Sequence, residues 1–181
     1  MGRMNTFKQA LYPVFVGLLL GWLQTGLFFQ FSFTLSSGFG TYLLITLSWL
    51  LGSAVGSTIA SRWSVPLFGF LLVMVAAYAM CSLLVALLPF QTDLWPLYAG
   101  IITLIGLYPG VFFARMSAYY PARVLFFREN NGFILGLITC TLLFLVLGRS
   151  VLWVGVICLL ILLGGIQMGM SVPTSPPSQP V

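Results

Sequence analysis

Long stretches of apolar residues, almost free of charge, leave this chain one medium in which to fold. Six such stretches stand at about 10–31, 40–59, 66–88, 95–114, 130–147 and 152–170. Each is close to the ~20 residues that a helix needs to cross ~30 Å of hydrocarbon. The joints between them are short and rich in turn formers, among them "SSGFG" at 36–40, "PFQTD" at 89–93 and "GRS" at 148–150. A soluble domain is about one quarter charged, whereas charged residues are 5% of this chain and apolar ones 60%. So few solvated groups cannot clothe a surface in water. The sequence therefore predicts an all-α integral membrane protein, a bundle of six transmembrane helices over 1–170 followed by a Pro/Ser-rich tail at 171–181. That tail, "SVPTSPPSQPV", has four prolines and no apolar period, which predicts an extended, mobile segment.

The few charges order the bundle. Arg3 and Lys8 precede the first span, Arg62 follows the second, and Arg115, Arg123 and Arg128 follow the fourth. All six fall on one side; Arg149 falls on the other, with the loop that carries Asp93. Arg62 and Arg149 are thus topology signals. Cations collect on the cytoplasmic side, so both termini are expected inside, in a multi-pass protein of the bacterial cytoplasmic (inner) membrane. The opening "MGRMNTFK" reads as a retained signal anchor, because the apolar run behind it is too long for a cleaved leader. Its match to a myristoylation pattern is read as accidental. Seven cations spread over the chain form no basic stripe, so nucleic acid is not an expected partner.

Helices in lipid associate through small residues that let backbones approach. Three small-residue stripes are present: Gly17 and Gly21, with Gln24 nearly on the same face; Ser48, Gly52 and Gly56; and Gly132 and Gly136, followed by Thr139 and Cys140. The last stripe is preceded by "RVLFFRENNGFILG" (123–136), which holds two arginines and the only glutamate of the chain. Glu129 lies three residues before Gly132, which on a helix puts it on the glycine face. Two placements follow. If the helix starts at Pro121, a favoured first-turn residue, Glu129 is inserted and needs Arg115, Arg123 or Arg128 as a partner. If "REN" caps a shorter helix starting at Asn130, Glu129 is interfacial, near the positive end of the dipole.

Histidine is absent, no Cys-x-x-Cys occurs, and Cys81, Cys140 and Cys158 lie inside apolar runs as small buried hydrophobes. No cofactor or metal is expected, and the sparse polar groups assemble no acid–base or nucleophilic constellation, so no enzyme is expected. The remaining reading is a non-catalytic membrane subunit that anchors or scaffolds a larger bacterial membrane complex, respiratory or electron-transferring. Its partners would be the lipid bilayer, other membrane subunits and, if it self-associates, further copies of itself. The alternative is a small-molecule transporter working as a homodimer of six-helix units. There "GLYPG" (106–110) would interrupt the fourth span while Gln24 and Glu129 line a site.

Two segments carry a resemblance. "WLLGSAVGSTIASRW" (49–63) and "LYPGVFFARMSAYYPARVLFFRENNGFILG" (107–136) are similar to the second helix and the later signature of the six-helix membrane half of polytopic spermidine synthase-like proteins. The matching positions are Gly52, Gly56, Arg62, Arg123, Glu129, Gly132 and Gly136. In many relatives an aminopropyltransferase domain follows the helices. Neither its nucleotide-type glycine loop nor its acidic residues occur in this chain, so the resemblance does not imply that activity. The membrane half in turn resembles one half of a major facilitator transporter. It implies a 3+3 inverted repeat, for which "SRWSVPLFGFLL" (61–72) and "GRSVLWVGVICLL" (148–160) provide a short internal echo.

Overall fold

The computed structural model describes residues 6–35, 38–63 and 66–168; the expected mobile tail, Arg3 and the first residues of the anchor lie outside the described residues. All regular structure among them is helical. The helices are α1 (Thr6–Thr34), α2 (Phe39–Arg62), α3 (Leu67–Leu87), α4 (Trp95–Met116), α5 (Ala122–Leu147) and α6 (Val151–Met168), with single 3-10 turns at Thr92–Leu94 and Gly148–Ser150. Prolines mark the starts. Pro66 and Pro121 stand in extended backbone just ahead of α3 and α5, and Pro96 lies in the first turn of α4, where the missing N–H has no helical acceptor to lose.

Five stretches are long and apolar enough to cross a membrane, where six spans were expected: Leu11–Thr34, Phe39–Arg62, Leu67–Leu87, Thr92–Met116 and the 45-residue Ala122–Ile166. The last merges the fifth and sixth expected spans. α5 begins at Ala122, eight residues before the expected 130, and the 3-10 turn at Gly148 leads into α6 with no polar interruption long enough to part them. A second expectation is also corrected. "GLYPG" does not interrupt the fourth span, since α4 runs through Pro109 as one helix. A proline inside a lipid-embedded helix is tolerated when neighbours absorb the freed carbonyl.

The packing partners are not chain neighbours. α1 lies along α5 in the same direction, with Val14 beside Gly132, Leu18 beside Gly136, and the Trp22 carbonyl accepting from Cys140 Sγ at 3.7 Å. α2 lies along α4, also in the same direction, with Trp49 beside Gly106 and Ser53 beside Gly110. α6 returns against α1 in the opposite sense, Leu152 near Gly26 and Gly155 beneath the Trp22 ring. α1 and α4 form the centre: Tyr12, Val16, Leu19, Leu23, Leu27 and Phe31 on one, and Tyr98, Ile102, Ile105, Tyr108 and Phe112 on the other, are all buried. Tyr12 meets Phe112 at 5.9 Å and Phe31 meets Tyr98 at 5.0 Å, which makes these two helices antiparallel.

Outward, the bundle is greasy. α5 presents Phe127 at 70% exposure and Val146 at 79%, and α2, α3 and α6 likewise turn leucines, valines and isoleucines outward. In water such a continuous apolar surface would aggregate; in lipid it needs no cover. The helix ends complete the picture. Arg62, Arg115, Arg123 and Arg128 gather at one end of the bundle, while Asp93 and Arg149 stand in the two 3-10 turns at the other.

Candidate functional site

Two glycine seams define the interior. In the first, a methyl placed on Gly17 would overlap the Glu129 carbonyl oxygen and lie 2.9 Å from the Phe133 nitrogen; on Gly132 it would overlap the Val14 carbonyl. Gly21 faces the Phe133 carbonyl and Gly136 the Leu18 carbonyl in the same way. In the second seam, Gly52 faces the Thr103 carbonyl, Gly56 the Leu107 carbonyl, Gly106 the Trp49 carbonyl and Gly110 the Ser53 carbonyl. Backbone therefore lies on backbone, an approach open only to residues without a β-carbon. Dispersion and Cα–H···O contacts hold the pairs together. The Ser53 hydroxyl adds a bond across the seam, donating to the Gly106 carbonyl at 3.2 Å.

Sequence reasoning singled out one half of the second seam, Gly52 and Gly56, and missed Gly106 and Gly110. The signal was present: "GLYPG" is itself a Gly-x-x-x-Gly stripe, masked by the proline inside it.

Glu129 sits in the first seam. α5 starts at Ala122, so Glu129 is seven residues in, roughly 10 Å along the helix. It is 9% exposed, the one charged residue buried among the described residues. Neither expected placement describes it fully. It is inserted rather than capping, yet no ion pair joins it to a described residue. The three arginines offered as partners are engaged elsewhere or turned out. Arg115 donates Nη2 to the Trp63 carbonyl at 3.1 Å, tying the end of α4 to the end of α2. Arg128 stands by Tyr120, whose hydroxyl is pushed up from its ordinary pKa by burial and drawn partly back by that guanidinium. Arg123 is exposed at the start of α5. Phe113 stacks on Phe126 at 4.6 Å and closes α4 over the beginning of α5.

The other polar side chains collect nearer the opposite end. Gln24 is half-buried and without a described hydrogen bond, whereas Gln30 is buried and donates Nε2 to the Tyr78 hydroxyl at 3.0 Å. Tyr78 donates in turn to the Leu152 carbonyl at 3.3 Å, so one phenol links α1, α3 and α6. Gly26 makes room for it, since a β-carbon there would stand 2.6 Å from the hydroxyl. Cys81 and Cys140 are buried, but Cys158 is exposed on the outer face of α6, against the expectation that all three are interior.

An all-helical chain with apolar spans, an apolar exterior and backbone-tight glycine seams is a membrane protein. Compared with protein families, curated proteins and solved structures, the chain has no match.

Proposed function

We propose that the chain is a structural subunit: a six-crossing bundle with both termini in the cytoplasm that anchors or scaffolds a larger assembly in the bacterial inner membrane. The observation that carries this reading is the closure of its interior. Both seams bring main chain onto main chain, and the buried polar groups near the other end are closed on one another, Gln30 donating to the Tyr78 hydroxyl and that hydroxyl to the Leu152 carbonyl, while Glu129 lies in the α1–α5 seam. Such a body resists opening and offers its surface, not its core, to partners.

Six crossings are supported by length. One straight helix over Ala122–Ile166 would be ~68 Å long, more than twice the ~30 Å of hydrocarbon. Gly148 at φ 73° breaks it, and α6 runs back along α1. An even number of crossings puts both ends of the chain on one side, the side of Arg62, Arg115, Arg123 and Arg128.

A second reading, a homodimeric small-molecule carrier, is favoured by one observation. Exchanging α1 with α4, α2 with α5 and α3 with α6 turns the α1–α5 seam into the α4–α2 seam, and the α1–α6 contact into the α4–α3 contact. Halves related in this way are the pattern of inverted repeats, and they accord with the resemblance to the membrane half of spermidine synthase-like proteins. Gentle extraction and mass identification of what co-purifies separates the readings. Stoichiometric different chains are expected; a pure dimer of this chain overturns the scaffold and supports the carrier.

A further inference from the structure

We propose that Glu129 is a proton-binding site, a carboxyl that takes up and gives up a proton inside the α1–α5 seam. The inference holds for scaffold and carrier alike. Three observations carry it. The side chain is 9% exposed, well inside α5. The seam cannot widen around it, because Gly17 rests on the main chain of Glu129 itself. And three described arginines at this end are directed elsewhere, Arg115 to the Trp63 carbonyl, Arg128 beside Tyr120, and Arg123 outward.

The other titratable groups around it are few. Tyr12 faces the seam's end from α1, its ring against Phe112, and Lys8 stands one turn earlier on α1. α4 brings Tyr108 and Arg115; α6 packs on the far half of α5, where the cation is Arg149. With neither cation nor donor against it among the described residues, a buried carboxylate is too costly to keep ionised and takes a proton instead. Arg123, at the basic end of the bundle, stands six residues before Glu129 on α5, less than two helical turns and a short path for that proton to water.

The chain has only two acidic side chains, Asp93 and Glu129, so infrared spectroscopy can read the site directly. The full chain is made in a cell-free system with side-chain ¹³C-labelled glutamate and placed in lipid nanodiscs; the label falls on one residue and no mutation is needed. The expected result is a protonated-carboxyl C=O band at neutral pH that shifts with the label, fades reversibly as pH rises, and is absent in Glu129→Gln. It persists in Lys8→Met. A labelled carboxylate band at every pH overturns the proposal. So does a protonated band that emerges only in Lys8→Met, which would make Lys8 the partner of an ionised Glu129.

Discussion

Replacing Gly110 by alanine tests the α2–α4 seam with one methyl group. The new carbon would overlap the Ser53 carbonyl oxygen and lie 2.7 Å from the Ser57 nitrogen and 2.8 Å from the Ser53 carbonyl carbon. These are main-chain atoms of a continuous helix, so relief requires α2 and α4 to move apart. Overpacking costs about 1–3 kcal/mol, and with three unyielding backbone atoms the upper end applies. Alanine returns about 1 kcal/mol as the better helix former. The net expectation is a loss of about 2 kcal/mol, roughly a thirtyfold fall in the folded-to-unfolded ratio. Gly100, ten residues earlier on the same helix, has nothing within 4 Å of its β-position. Gly100→Ala should therefore stabilise, by up to about 1 kcal/mol. Both variants are read by unfolding in mixed micelles, followed through the fluorescence of the five tryptophans. If Gly110→Ala unfolds together with Gly100→Ala, the two helices are not in main-chain contact and the seam as described is wrong.

The Tyr78 hub predicts coupling: Tyr78→Phe strands the buried Gln30 amide and should cost about 1–3 kcal/mol. Adding Gln30→Met should then cost less than the single changes summed, a shortfall on the order of 1 kcal/mol in a double-mutant cycle. Gly148 has φ 73° and ψ −159°, a region almost closed to other residues, with open space at its β-position. Gly148→Ala should cost about 1–3 kcal/mol through backbone strain alone, and an unaltered unfolding midpoint would remove the hairpin turn from the argument. For topology, a cysteine-free variant carrying Arg123→Cys should react with a membrane-impermeant thiol reagent from the cytoplasmic side only, and one carrying Asp93→Cys from the opposite side only. Labelling of both from one side would contradict the single crossing, α4, that lies between them.

How much of this was written in the residues differs from feature to feature, for physical reasons. Apolar runs and the side of each cation are local properties, and the helices fall where those runs are. The glycines at 17, 21, 52, 56, 132 and 136 were legible as contact points because a helix in lipid has little other use for a periodic gap. Their partners were not. A stripe marks where a backbone can approach, not which helix does so, and the two seams join α1 to α5 and α2 to α4 across intervening chain. Pro109 hid the fourth stripe because a proline breaks helices in water, where nothing replaces the lost bond, but not among neighbouring helices. Glu129 shows the same limit in sharper form. Its place depended on where α5 starts, and "RENN" looks like a helix cap only if polar residues must lie outside. In the structure Asn131 turns its amide back to the Phe127 carbonyl at 2.7 Å, satisfied by its own helix, so polarity there sets no boundary. Once α5 reaches back to Ala122, Glu129 must go where the glycine face goes, into the seam. Its lack of an arginine then follows from geometry: Arg123 and Arg128 leave the helix on other faces, and Arg115 is bound to the end of α2. The isolated carboxyl is thus a consequence of the same backbone contact that holds α1 to α5.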